Sequence, residues 1–274
     1  MTQTGYNLDM SPPTPTPVAA PAGATAPRLT PRLILAVAGL VVASIPVTLL
    51  GYAATHGWGP LHTFDTDAAR SLHTWAVGAP WAVGTMQAIS TYLHPWVLRA
   101  VTAVMVGWLL WRRQRRLALW VAVTMIVAGI LGDGLKTLVA RARPHLPHPV
   151  ATAPGASFPS GHALNSFVFF GIVVLLLLPV AHGVWRWVVW TAGIIAVLLV
   201  GFSRVGLGVH FVSDVVAGWL LGAGLLALTA AAFESWRRAQ GRIPVHVVEV
   251  GVEPDEVTAV EYGQEPRRAV RPGS

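Results

Sequence analysis

The chain has 274 residues, of which 54% are apolar and only 11% charged, against roughly 25% charged in a soluble domain. That balance excludes an ordinary soluble globular protein, and the absence of cysteine excludes disulfides, thiolate metal sites and a cysteine nucleophile. The formal net charge of +7 does not point to nucleic acid, because the arginines mostly flank hydrophobic runs, as membrane anchors do.

Residues 1–31 are rich in Pro, Thr and Ala and read as a disordered tail. Six apolar stretches follow, near 33–54, 95–111, 117–138, 162–181, 186–203 and 211–233. Several are preceded or followed by enough uncharged chain to reach the ~20 apolar residues of a bilayer-crossing helix. Continuous runs favour helices over the alternating strands of a barrel, so the expected fold is an all-α, polytopic membrane bundle. Between the first two spans, residues 65–93 alternate polar and apolar side chains at helical spacing (Asp65, Arg70, His73, then Trp75, Trp81, Met86, Ile89). That stretch predicts one or two helices lying in the membrane interface. Residues 32–236 form the membrane domain, and 237–274 a charged tail expected to be disordered.

Orientation follows from short-loop charge. Arg112, Arg113, Arg115 and Arg116 make the densest basic cluster, which places the loop between spans two and three in the cytoplasm. Arg28, Arg32, Arg186, Arg237 and Arg238 fall on the same side, so both termini are expected inside. A strong arginine bias fits a bacterial inner membrane. Arg141 and Arg143 lie on the opposite side, against the basic bias, which assigns them work other than setting topology.

The polar residues on that extracytoplasmic side have a regular spacing. The chain's single lysine, Lys136, is followed by six residues and Arg143-Pro144; then come Pro159-Ser160-Gly161-His162, and Ser203-Arg204, five residues, His210, three residues, Asp214. Lys136 and Arg143 are two helical turns apart, so they can share a face at the end of span three, while Pro144 disfavours helix at Arg143. An ammonium and a forked guanidinium bind phosphate oxygens in complementary ways; the alternative is that both snorkel to the interface. Asp133 reads as the ion-pair partner of Lys136. Ser160 is placed to cap span four, Gly161 permits close backbone approach, and the helix start attracts an anion that His162 would face. His210 and Asp214 are four apart at the start of span six, on one helical face, where a carboxylate can fix the tautomer of a nucleophilic imidazole. His162, His210 and Asp214 also offer three metal ligands, but three nearby cations would repel a metal, so neither metal nor cofactor is expected. Ser157 is less well placed, and His56, His62, His73 and His94 read as interfacial.

Together the three segments resemble the signature of the type 2 phosphatidic acid phosphatase family, whose site is shared with vanadium-dependent haloperoxidases. Every motif position and gap matches over residues 136–214, and the six-helix layout extends the resemblance over roughly 33–233. The resemblance implies that His210 attacks phosphorus to form a phosphohistidine, Asp214 orients it, and His162 protonates the leaving oxygen. It implies that Lys136, Arg143, Arg204, the Ser160 hydroxyl and the Gly161 N–H hold the phosphoryl oxygens without metal. The expected substrate is a lipid phosphate such as undecaprenyl diphosphate, phosphatidylglycerophosphate or phosphatidic acid. A lipid phosphotransferase would share every motif residue. A non-catalytic lipid-binding or transport protein would be expected to have lost one of the two histidines.

Overall fold

The structure, a computed structural model, describes residues 31–147, 149–239 and 246–253. Among them all regular structure is helical: α1 (Pro31–Thr55), α2 (Gly59–Val77), α3 (Pro80–Tyr92), α4 (Pro95–Trp111), α5 (Arg115–Val139), α6 (Gly161–Leu177), α7 (Val184–Gly206), α8 (Val212–Ala239) and the short α9 (Val247–Val250). Helices α1, α4, α5, α6, α7 and α8 stand where the six spans are expected, and α2 and α3 divide the amphipathic stretch between them. By length and composition α5, α7 and α8 can each cross a membrane, and α3 with α4 forms a pair bent by 43° that passes as one broken span. Helix α6 and the apolar Ser44–Thr55 part of α1 are shorter.

Helix α6 is the axis of the bundle. Its residues Ala163, Leu164, Val168 and Ile172 are fully buried, and it packs on α4, α5, α7 and α8. The approach to α8 is close because Gly218 and Gly222 form a small-residue stripe four apart. A Cβ at Gly218 would stand 2.8 Å from the Ser160 carbonyl oxygen, and one at Gly222 would stand 2.9 Å from Phe167. Between apolar helices in lipid, such backbone proximity replaces the missing hydrophobic driving force. Outward faces keep exposed apolar side chains, among them Val104, Ile126, Ile130 and Trp187, as a lipid-facing surface requires.

Helix α5 has 25 residues, so it separates its ends by ~37 Å. Its basic start carries Arg115 and Arg116, with the Arg116 guanidinium over Trp236 of α8. Lys136 lies in its last turn. The arginine cluster and the motif residues therefore occupy opposite ends of the bundle.

Two expectations change. Helix α5 stops at Val139 with Ala140 in the left-handed region, its N–H on the Lys136 carbonyl, so Arg143 does not share a helical face with Lys136 but follows in an irregular loop. The second change lies in the C-terminal tail expected to be disordered. Residues 246–253 fold back: the Val252 N–H bonds the Leu175 carbonyl, and Val252 is buried against α6. The valines at 247, 250 and 252 give this stretch an apolar face that a solvated tail would waste. The rest of that tail (240–245 and 254–274) and the N-terminal residues 1–30 lie outside the described residues.

Candidate active site

Three loops and two helix starts converge at the far end of α5. Ser160 caps α6 as expected, its hydroxyl accepting from the Ala163 N–H at 3.4 Å. Its own N–H donates to the Asp214 carbonyl at 2.9 Å, which ties the start of α6 to the start of α8. Gly161 faces Lys136: a Cβ there would be 3.2 Å from Nζ. The ammonium therefore lies against the free N–H groups of a helix start, and both favour an anion at the same place. Lys136 also sits 4.0 Å from Asp133, which is 3.9 Å from Arg99. Arg99 is thus a further cation at the rim that the motif does not contain.

His210 is not on the face of α8. It precedes that helix by two residues, reached through a tight turn in which Gly208 has φ +72° and the Val209 and His210 N–H groups bond the Arg204 carbonyl. Asp214 stands at the third position of α8 and accepts the Phe211 N–H at 2.9 Å, reaching back to its own helix start as a capping-box acid does. The same oxygen, Oδ2, lies 3.5 Å from His210 Nδ1 and accepts a short hydrogen bond from the Ser157 hydroxyl. On the other side of the ring, His210 Nε2 is 3.2 Å from Arg143 Nη1. Burial lowers the His210 pKa to about 4, against the raising effect of Asp214. The imidazole is therefore neutral at pH 7, with Nδ1 turned to a carboxylate and Nε2 turned to a cation.

Arg143 uses its whole fork on the protein. Nε bonds the Gly155 carbonyl at 3.0 Å, Nη2 bonds the Pro154 and Ala156 carbonyls at 3.0 and 3.2 Å, and Nη1 bonds the Val209 carbonyl at 2.7 Å. It clamps the 154–156 loop to the turn carrying His210, and Nη1 also stands beside His210 Nε2. Burial lowers its pKa and Asp214 raises it; a guanidinium keeps its charge through either.

Arg204 and His162 meet at one residue that sequence reading did not single out. The Arg204 Nη1 donates to the Ser90 hydroxyl in a short hydrogen bond, and His162 Nε2 lies 3.3 Å from the Ser90 carbonyl. Ser90 belongs to α3, so that helix positions two motif side chains. His94, expected at the interface, stacks edge-on against His162 with ring centroids 4.9 Å apart. His73, also expected at the interface, is buried, with Nε2 3.0 Å from the Pro147 carbonyl. Ser157, set aside on sequence grounds, is fully buried and bonded to Asp214. Among the described residues, no three His, Cys, Asp or Glu side chains gather so as to hold a metal ion.

Beside the cations a groove of about 760 Å³ runs between α4 and α5, lined by Thr102, Ala103, Val106, Met125 and Ile126 and ending at Arg99 and Asp133. It is apolar along its length and charged at the end next to Lys136.

Residues 117–238 match the family model described as the PAP2 superfamily. The chain is 32% identical over 183 residues to phosphatidylglycerophosphatase B of Bacillus subtilis, covering 64% of this chain and 86% of that one. The chain belongs to the PAP2 superfamily. It is also 37% identical over 153 residues to an undecaprenyl-diphosphatase of Sulfolobus acidocaldarius, covering 53% of this chain and 68% of the relative. Among solved structures, the transmembrane PAP2-type phosphatidylglycerolphosphate phosphatase of Bacillus subtilis superposes with a TM-score of 0.62 at 25% identity, over 69% of this chain and 93% of that one. This PAP2 protein is accordingly an integral-membrane lipid phosphate hydrolase.

Proposed function

We propose that this PAP2 protein hydrolyses a phosphomonoester or diphosphate of a membrane lipid at the extracytoplasmic face, through a phosphohistidine on His210. One observation carries the reading: a buried imidazole held between Asp214 on Nδ1 and Arg143 on Nε2. An Nδ1–H facing a carboxylate leaves the lone pair on Nε2, which is the nucleophilic form of the ring.

In the first step Nε2 attacks phosphorus, the bond to the lipid oxygen breaks, and His162, entering as the imidazolium that the bound phosphate dianion stabilises, gives that oxygen a proton. The Ser90 carbonyl takes the Nε2–H of His162, leaving Nδ1 to carry the transferred proton. The new cation on the phosphorylated ring is balanced by Asp214. In the second step His162 accepts a proton from water, the water oxygen bonds phosphorus, and the P–N bond breaks to release phosphate and neutral His210. Lys136, Arg143, Arg204, the Ser160 hydroxyl and the Gly161 N–H surround the phosphoryl oxygens and offset their growing charge. Arg143 does so by turning Nη1 from His210 to a phosphate oxygen. No step needs a metal.

The position of the site at the opposite end of α5 from Arg115 and Arg116 supports the extracytoplasmic placement. The α4–α5 groove supports a lipid substrate, with its tail along the apolar length and its phosphate at the charged end. Relatives named for undecaprenyl diphosphate and phosphatidylglycerophosphate make those two lipids the first to test. The purified protein is expected to release phosphate from one of them in excess EDTA, and His210→Ala to release none. Loss of activity in chelator, or full activity of His210→Ala, refutes the reading. Ala103→Trp fills the groove and is expected to raise KM for a long-chain lipid phosphate about tenfold, the equivalent of displacing two buried methylenes. KM for a short-chain phosphate is expected to stay unchanged.

A further inference from the structure

One buried charge cluster touches the site through Asp214, and its other members, Arg141 and Asp65, are used by no step above. Arg141 is 7% exposed and Asp65 and Asp214 are fully buried. The Arg141 fork spans the two carboxylates: Nη1 lies 2.5 Å from Asp214 Oδ1, and Nη2 lies 2.8 Å from Asp65 Oδ2. Nη1 also donates to the Ser213 hydroxyl at 2.7 Å. Ser213 in turn donates its N–H to Asp65 Oδ1 at 3.0 Å and its hydroxyl to Oδ2. The Phe211 ring closes one face of the guanidinium at 4.2 Å. The Arg141 carbonyl accepts the N–H of Ser157 at 2.8 Å, the serine that bonds Asp214.

We propose that Arg141, charge-balanced by Asp65 from α2, is a positioning residue that fixes the Asp214 carboxylate so that Oδ2 faces His210. The two carboxylate oxygens are divided between two tasks. Oδ1 is taken by Arg141; Oδ2 receives Ser157, the Phe211 N–H and His210 Nδ1. Rotation of the carboxylate would break the Arg141 bond in a site where a lost charge partner is costly. A planar fork can hold two carboxylates at a set separation, and a lysine ammonium cannot. Stability alone does not call for this arrangement, since buried ion triads are often replaceable by apolar side chains without loss. Asp65 reaches the cluster because Ala69, one turn later on α2, packs into a small core with Ala163, Val205 and Val215. Helix α2 is thereby part of the site's frame.

The inference rests on the phosphohistidine reading, so the two are tested separately. Failure of the unmodified chain to hydrolyse any lipid phosphate strikes at that reading, before any variant is made. The positioning claim is read on purified full-length variants with the lipid phosphate that the unmodified chain accepts. Orthovanadate inhibition reports the grip on phosphate. Arg141→Lys and Asp65→Asn are expected to lose kcat by on the order of 10–100-fold, the usual effect of removing a group that orients a working ligand. KM and the vanadate inhibition constant are expected to move less than about threefold, since these residues meet no phosphate oxygen. Asp67→Asn, which removes the exposed partner of Arg70 on the same helix, is expected to change nothing. Asp65→Leu/Arg141→Met removes one charge of each sign and keeps the cluster's net charge. It is expected to restore the melting temperature without restoring kcat. Wild-type kcat in Arg141→Lys and Asp65→Asn overturns the proposal. Recovery of kcat together with melting temperature in the apolar double variant does too, because the bridge would then be structural only.

Discussion

Gly218→Ala tests whether the joint between α6 and α8 sets the geometry of the site. The added Cβ would lie 2.8 Å from the Ser160 carbonyl oxygen, 3.0 Å from the Ala163 Cβ and 3.1 Å from the Leu164 N. None of these is the free end of a flexible side chain. Bringing the closest contact to an ordinary 3.4 Å requires the two helix starts to part by about 0.6 Å, an adjustment that a close-packed interior resists. His162 rides on the first turn of α6, and Asp214 stands one turn before Gly218 on α8. A misplacement of 1 Å can cost about 100-fold in rate, so this shift is expected to lower kcat about tenfold. Overpacking costs about 1–3 kcal/mol, and Ala in place of Gly within a helix returns about 1 kcal/mol. The net loss of stability is therefore expected to be small beside the loss of rate. Phosphate release at saturating lipid phosphate and thermal unfolding of the same preparation separate the two effects. Gly107→Ala, at a helical glycine with nothing within 4 Å, serves as the control and is expected to keep full activity. Wild-type kcat in Gly218→Ala refutes the claim that this joint sets the site.

Ser157→Ala removes a buried hydrogen bond to a charged carboxylate, worth about 1.5–3 kcal/mol; a matching loss of stability and a roughly tenfold lower kcat are expected, and an unchanged kcat excludes Ser157 from the positioning of Asp214. The pH dependence has a defined sign. Burial holds the His210 pKa at about 4 instead of 6.5, so protonation silences the nucleophile only as pH falls toward 4. The acid limb of kcat/KM, corrected for the substrate's own titration, is expected near pH 4; a limb near 6.5 that persists in His162→Asn contradicts the buried, neutral state. Because the unfolded chain takes up this proton at about 6.5, the stability gained from keeping His210 neutral is present above that pH and lost as pH falls through 6.5 toward 4.

Much of the bundle was legible because its signals are local. Apolar runs placed the six principal helices near their observed ends, and amphipathic spacing placed α2 and α3. The motif set was legible as one cluster through fixed gaps: Lys136, Gly161, Arg204 and His210 each stand beside another motif residue or its backbone. The groups that steady this set were less readable. Ser90 meets Arg204 across 114 residues, and Asp65 meets Arg141 across 76, distances at which no spacing rule operates. Arg141 alone left a trace, as a cation on the side where topology does not favour one. The register of His210 against Asp214 misled for a physical reason. Four-residue spacing implies one helical face only if the helix already includes both residues, and here Gly208 turns the chain so that α8 begins after His210. The fold-back of residues 246–253 was hidden because the spacing of Val247, Val250 and Val252 in a charged tail makes a weak periodic signal.

The central claim is that His210 carries the phosphoryl group, and rapid acid-free quenching of the purified protein with a ³²P-labelled lipid phosphate tests it most directly. The account predicts an alkali-stable, acid-labile label on the peptide containing His210, formed in the presence of chelator, absent in His210→Ala and, with a diphosphate whose phosphate leaving group needs little protonation, accumulating in His162→Ala. Turnover by the unmodified protein with no label on His210 either in that protein or in His162→Ala, or a label on any other residue, would contradict it.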